Sequence, residues 1–398
     1  VLLAGIVIIF LGMFVSVRES GRVGPFVPCA APSVMPATQA PRFVSRFASH
    51  RSTAQVHAAS AVALEAGKLR AFWYGGDREG GADVAIYSNG FDPATQSWSQ
   101  ERPIIDRDIT MQSVARNIRR IGNPVAFKPS DDELWLVYVS TSLGGWSTSA
   151  LNLSMSRDQG NTWTPPRRLV TSPLFNMSTL AKGPAVRHAN GALSLPVYHE
   201  MAAKFSEIVH LSPAGEVTGK TRLSEGRLAI QPVVMPTSGT HAIGLMRNVE
   251  LDGILQTETD DAGARWSTPT RIGLPNPNAA LSVTCAPDGV LLLAFNDDAR
   301  TKQNLSLAYS TDEGKSWRSF YVVERYEPAD TPPLPEGVPP QFSYPWLLQG
   351  SDGEFHLLYT WHRLAIKHVS FNRAWLTRML SAGQDPGAQQ PGAPDPPR

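Results

Sequence analysis

Charge of either sign is scarce in this chain. Asp, Glu, Lys and Arg make up 18% of its 398 residues, against roughly 25% in ordinary soluble domains. The signs nearly cancel, 36 Lys and Arg against 35 Asp and Glu, for a net charge of +1. There is no overall positive field to gather a polyanion, so nucleic acid is not expected as a partner. Cysteine is scarcer still, with Cys29 and Cys285 alone. Two cysteines make no disulfide framework, and two independent thiols are the expectation. The sequence has no CxxC pair and no close His/Cys cluster that would suggest structural zinc. No metal and no cofactor are expected.

Long apolar runs are also rare, and the one that stands out opens the chain. "VLLAGIVIIFLGMFV" (Val1 to Val15) is uncharged, and Ser16 and Val17 extend it. Roughly 17 residues is the lower limit for a spanning helix. A signal peptide and an uncleaved anchor both fit residues 1–17. The length and the weak cleavage-site pattern favour a transmembrane anchor. The remainder is then expected to be exported, either membrane-anchored and facing the periplasm or exterior, or secreted. Residues 18–50, rich in Pro, Ser and Ala, read as a linker. Residues 381–398, rich in Pro, Gly and Gln, read as a disordered tail. The folded part is expected over residues 51–380.

What is plentiful is turn and anchor chemistry: 33 Pro, 32 Gly and 10 Trp. That mixture suits many short strands joined by tight turns. One octet recurs. "SRDQGNTW" (Ser156 to Trp163) is matched by "TDDAGARW" (Thr259 to Trp266) and "STDEGKSW" (Ser310 to Trp317). A degenerate copy, "YSNGFDPATQSW", ends at Trp98, and a fainter trace, "HLSPAGEVTGKTRL", begins at His210. Each full copy follows a strand-like run, "ALNLSMS", "ILQTETD" or "LSLAYS". The spacing is a loose period of about 50 residues, which suits the blade of a β-propeller.

The octet carries acid, hydroxyl and amide groups, yet its physics is that of a corner. The Gly permits a positive φ in a hairpin turn. The Asp and the Ser or Thr can satisfy turn amides, and the Trp can pin the turn against its own blade. Five traces and a last strand group, "FSYPWLLQGSDGEFHLLYTWHRLAIKHVSF", imply an all-β, six-bladed propeller. Strands from both ends of the chain are expected to close it, because a free edge would leave backbone groups unpaired.

These octets resemble the Asp-boxes of the sialidase-like BNR repeat family, and the resemblance covers nearly all of residues 55–372. It extends to "HAASAVALEAGKLRAFWYGGDREGGADVAIYS", "GNPVAFKPSDDELWLVYV", "LPNPNAALSVTCAPDGVLLLAFND" and "YPWLLQGSDGEFHLLYTWHRLAIKHV". It implies an exported glycoside hydrolase acting on acidic sugars of exposed glycans. Sialidases hold the sugar carboxylate with three Arg, because a guanidinium fork matches a carboxylate. They use an Asp as acid/base and a Tyr, paired with a Glu, as nucleophile. A neutral Tyr approaches an anionic sugar without the repulsion a carboxylate would meet.

On this resemblance Arg247 and Arg300 stand where the second and third Arg belong. Tyr344 stands eight residues before Asp352-Gly353, as the nucleophile does. Asp77, in "GGDREGGAD", is the favoured acid/base over Asp83, and Arg78 and Glu79 share its loop. Arg363 is a rim cation. Two positions depart from the pattern. The strand that should carry the first Arg reads "QVHAAS", with His57 in its place, and "LAIQPVVM" offers Gln231 where the Glu is sought.

Each candidate also has a plain structural reading: Tyr344 as a core aromatic, the Arg as solvated strand ends, His57 as a satisfied core histidine. Two alternatives to a sialidase-like hydrolase follow. One is a uronic-acid-directed hydrolase or lyase with His57 as base. The other is a non-catalytic glycan-binding propeller tethered near the membrane.

Overall fold

The computed structural model describes residues 23–28, 39–172, 176–224, 226, 228–286, 288–328 and 333–382. The apolar run at 1–17 and all but two residues of the 381–398 tail lie outside that set. Among the described residues no helix is long and apolar enough to cross a membrane.

Six antiparallel sheets follow one another along the chain, each starting at a central axis and ending at the rim. Blade 1 runs Gln55–Ala63, Leu69–Gly76 and Ala85–Asp92, with short edge strands beyond. Blade 2 runs Arg120–Ser130, Glu133–Thr141, Ala150–Ser156 and Arg167–Arg168. The interrupted inner strand of blade 3, Leu180–Ala181 and Val186–Arg187, pairs with Leu193–His199. Phe205–Leu211 and Val217–Arg222 follow. Blade 4 begins with Ala229–Pro236 and Ala242–Asn248, and blade 5 with Ser282–Cys285 and Leu291–Phe295. Blade 6 comprises Phe342–Gln349, Phe355–Trp361 and Ala365–Phe371. Its fourth strand comes from the other end of the chain: Phe43–Phe47 pairs antiparallel with Ala365–Phe371. Both ends of the chain thus build one blade, which ties the ring closed.

That closure corrects the domain boundary expected from sequence. The segment read as a linker supplies a propeller strand at 43–47. Farther upstream, Phe26 is 2% exposed and bridges to His188. The Phe26 and Val27 amides donate to the Gly239 and Arg187 carbonyls, both 2.8 Å. Proline and alanine content masked two short pieces whose partners are distant in sequence. At the other end, Arg373–Ala382 forms a helix that buries Trp375, Leu376 and Met379.

Middle strands such as "LLLAF" (Leu291–Phe295) are buried at every residue. Blades stack face to face, so both sides of a sheet meet protein, and strict alternation is lost. The buried polar residues Asn152 and Ser154 sit in such a strand because their side chains bond within the blade.

The octets are turns, as expected. In the copy at Ser156–Trp163, Asp158 Oδ1 accepts from the Thr162 amide at 2.8 Å, the Asn161 amide at 3.0 Å and the Ser156 hydroxyl at 2.8 Å. Ser156 Oγ accepts from the Gly160 amide at 2.8 Å. The same frame recurs at Thr259/Asp261 and Ser310/Asp312. Gly160, Gly263 and Gly314 have φ of 84°, 87° and 90°.

One detail is added. Two of the Trp side chains also reach the preceding blade, although Trp163 Nε1 still donates to the Gly160 carbonyl of its own turn at 3.2 Å. Trp163 stands edge-on to Phe72 of blade 1, 5.6 Å between ring centroids. Trp317 of blade 5 donates from Nε1 to Gln256 Oε1 in blade 4, at 3.2 Å. The repeat therefore also fastens neighbouring blades together. A second correction concerns sulfur. Cys285 is disulfide-bonded, against the expectation of an independent thiol; Cys29 lies outside the described residues.

Candidate active site

The site lies where the inner strands begin. Among the described residues, the inner strand of each blade has one non-glycine residue with left-handed backbone near or just before its start. These are Ala58 (φ 53°), Asn123 (45°), Ser178 (65°), Gln231 (52°), Asn278 (52°) and Tyr344 (54°). At four of them the strand register slips, marking a β-bulge. A bulge re-aims side chains, and non-glycine residues in this region carry strain of order 1–3 kcal/mol that gathers at functional sites. No sequence period announces this, because the six positions carry five residue types, Asn alone occurring twice.

Tyr344 and His57 meet there. Their rings stand edge-to-face with centroids 4.5 Å apart, and Tyr74 contacts His57 from another side at 5.8 Å. His57 is 4% exposed. Burial first, then the charges of Arg363, Lys302 and Lys182, push its pKa well below 6.5. It is a neutral imidazole, and its Nδ1 has no hydrogen-bond partner.

A polar chain crosses the channel beside this pair. Gln231 Nε2 donates to the Tyr344 and Tyr198 hydroxyls, at 3.4 and 3.3 Å. Gln231 Oε1 accepts from Arg247 Nη1 at 3.0 Å, and Asn278 Oδ1 accepts from Arg247 Nε at 2.5 Å. Two acceptors thus fix the plane of the Arg247 guanidinium. Arg363 Nη1 bonds Glu79 Oε2 at 2.7 Å. Glu79 also faces the buried Tyr74, whose pKa lies well above 10 through burial and then that carboxylate.

Lys302, which the sequence reading did not single out, joins this group. Burial first, then Arg247 and Arg363, lower its ammonium from 10.5 to about 8, against the pull of Glu79. Its carbonyl accepts from the Phe342 amide at 2.7 Å, which ties its loop to the Tyr344 strand. The signal that could have found it was proximity to Arg300, two residues earlier. Arg300 itself is exposed on that loop, with its amide on Asp298 Oδ1 at 2.6 Å.

The glycine-rich loop divides. Arg78 and Glu79 line a cavity together with His57, Tyr74 and Arg363. Asp77 is exposed and not among the lining residues, and its amide donates to Asp83 Oδ2 at 2.5 Å. Glu79 is therefore the acid that the fold brings to His57. Among the described residues no group of three or more His, Cys, Asp or Glu is placed to hold a metal ion. Arg247, Lys302 and Arg363 gather cationic charge around a channel that Glu79 also faces, an arrangement that accepts an anion.

A family model described as BNR repeat-like domain matches residues 67–357. The chain belongs to this sialidase-like repeat family. Solved structures share its fold. A Hadza microbial sialidase superimposes with a TM-score of 0.67 at 16% identity, over 84% of this chain and 69% of that one. An intramolecular trans-sialidase from Ruminococcus gnavus, in complex with oseltamivir carboxylate, gives 0.62 at 16% identity over 83% and 97%. A Dyadobacter fermentans protein of unknown function gives 0.65 at 11% identity over 83% and 99%. At such identities the likeness is one of fold. A search of curated protein sequences returns no match.

Proposed function

We propose that this propeller is a carbohydrate-active enzyme for carboxylate-bearing sugars, a sialidase-like glycoside hydrolase of exposed glycans. The observation that carries the reading is the convergence, from different blades, of Tyr344 and His57 with Arg247, Lys302 and Arg363. The cations hold the sugar carboxylate. Tyr344 acts at the anomeric carbon as nucleophile, or stabilises the charge that develops there. A carboxylate of the Asp77–Glu79 loop manages the leaving-group proton. Gln231 beside Tyr344 cannot take the phenol proton; the neutral His57 imidazole against the ring receives it, while the Gln231 amide N–H steadies the phenolate.

One observation favours a second reading on the same class of sugar. A neutral His57 against Tyr344 is a base beside a phenol, which suits a uronic-acid-directed hydrolase or lyase. The Cys285 disulfide fits an oxidising compartment and so supports export; the apolar run at 1–17 would then be its signal or membrane anchor.

The test is turnover of fluorogenic sialosides and uronosides by the full chain, with Tyr344→Phe and His57→Ala. Sialoside cleavage that Tyr344→Phe lowers at least ~10²-fold supports the hydrolase. Uronoside turnover abolished by His57→Ala moves the assignment to the second reading. Glycan binding with no turnover makes the protein a binding module and removes these roles.

A further inference from the structure

Lys182 is buried, 3% exposed, where the inner strand of blade 3 passes the channel. Its side chain does not stay in its own blade. Nζ donates to the Pro345 carbonyl at 3.3 Å, in blade 6, diametrically opposite in a six-bladed ring. It lies over the Trp346 ring at 4.9 Å from the centroid and over the Tyr344 ring at 5.8 Å. Among the described residues it has no ion-pair partner.

We propose that Lys182 is a positioning residue for Tyr344, a strut across the channel that holds the Tyr344–Trp346 bulge and so aims the phenol at the substrate. The proposal rests on Tyr344 being the working group named above. The bulge needs such a hold. Tyr344 has φ 54° and the register slips between Ser343 and Trp346, so ladder bonds are missing where the aim of the side chain matters. The far side of the bulge is pinned by Trp346 Nε1, which donates to the Ala61 carbonyl at 2.8 Å, and by the Leu347 amide on Ser282 Oγ at 2.9 Å. The near side has Gln231 at 3.4 Å from the phenol, and the Pro345 carbonyl is left to Lys182. A lone buried ammonium is a poor structural device. Removing it for an apolar side chain of similar length relieves desolvation and tends to stabilise a fold. Its presence beside Tyr344 is better explained by what it positions.

The experiment is a double-mutant cycle of Lys182→Met and Tyr344→Phe in the full chain, with melting temperature, kcat and KM on the sugar that the wild type turns over. We expect Lys182→Met to melt no lower than wild type and to lose ~10-fold or more in kcat with KM within about twofold. Added to Tyr344→Phe it should cost nothing further, because a residue acting through Tyr344 has nothing left to act on. Unchanged kcat, or losses that multiply in the double variant, would overturn the proposal. If Lys182→Met does not fold, Lys182→Leu, which also removes the donor to the Pro345 carbonyl, is read by the same cycle.

Wild-type silence on every acidic sugar would sink the proposed function but leave the strut testable. The near-ultraviolet circular dichroism band of Tyr344, taken as wild type minus Tyr344→Phe, should vanish in the Lys182→Met background. Persistence of that band would refute the strut without reference to activity.

Discussion

Arg247→Met tests whether the channel recognises a carboxylate. Asn278 and Gln231 hold the Arg247 guanidinium through Nε and Nη1, at 2.5 and 3.0 Å, so its plane is set before a ligand arrives. A hydrogen bond to a charged group is worth about 1.5–3 kcal/mol. At ~1.4 kcal/mol per tenfold, losing one such contact weakens binding by about 10- to 100-fold. Lys302 and Arg363 remain in the variant and keep the loss from being total. The assay is calorimetric or competition binding of one acidic sugar and its carboxamide, against wild type and Arg247→Met. The loss should fall on the carboxylate, with the carboxamide changed about twofold or less. Equal weakening of both would mean that Arg247 shapes the wall and does not pair with charge, and the anion-site reasoning would fail.

Two further outcomes follow from the same physics. Asp158→Ala removes a carboxylate that accepts from two amides and two hydroxyls, and should lower stability by about 2 kcal/mol and melting by several degrees while leaving turnover intact. Lost turnover at unchanged melting would instead give the octet a chemical role. The hydroxyl and amide of Thr162 lead in pulling the Asp158 pKa from 3.8 to about 2, so its stabilising contribution is complete above pH 3.8 and disappears as pH falls through 2. For Lys182 the sign reverses. Burial lowers its ammonium from 10.5 to about 7, which disfavours the fold by up to about 5 kcal/mol, fully below pH 7 and no longer above 10.5. Wild type should therefore gain stability relative to Lys182→Met between pH 7 and 10, and a difference in melting that stays flat over that window refutes the burial argument.

The architecture was legible because the same local problem is solved several times. A Ser or Thr, an Asp and a Gly at fixed offsets make one turn wherever they occur, and repetition at blade spacing marks the ring. The site was only half legible. Tyr344, His57, Arg247, Glu79 and Arg363 are residue types that stand out, and the fold brings them to one channel. Lys302 and Lys182 were missed because a lone lysine in a strand-and-loop sequence reads as surface. Arg300 was singled out because it precedes an octet strand as the family's third Arg does, yet two positions along an extended chain carry a side chain several ångströms away, and it is Lys302 that joins the site.

Sequence alone determined the blade as a unit: short apolar strands, turn chemistry that depends on neighbours four residues apart, and enough repeats to close. Those are local interactions, so they can be read from a line of letters. Tertiary structure decided which ends meet, that Phe43–Phe47 completes blade 6, and that Trp163 and Trp317 fasten adjacent blades. It also decided that six residues of five types share one left-handed conformation around the channel. The charge balance of the site was likewise a tertiary matter. His57 is neutral, Lys302 is softened and Lys182 crosses the axis because of what surrounds them, and those neighbours are contributed by blades far apart in sequence.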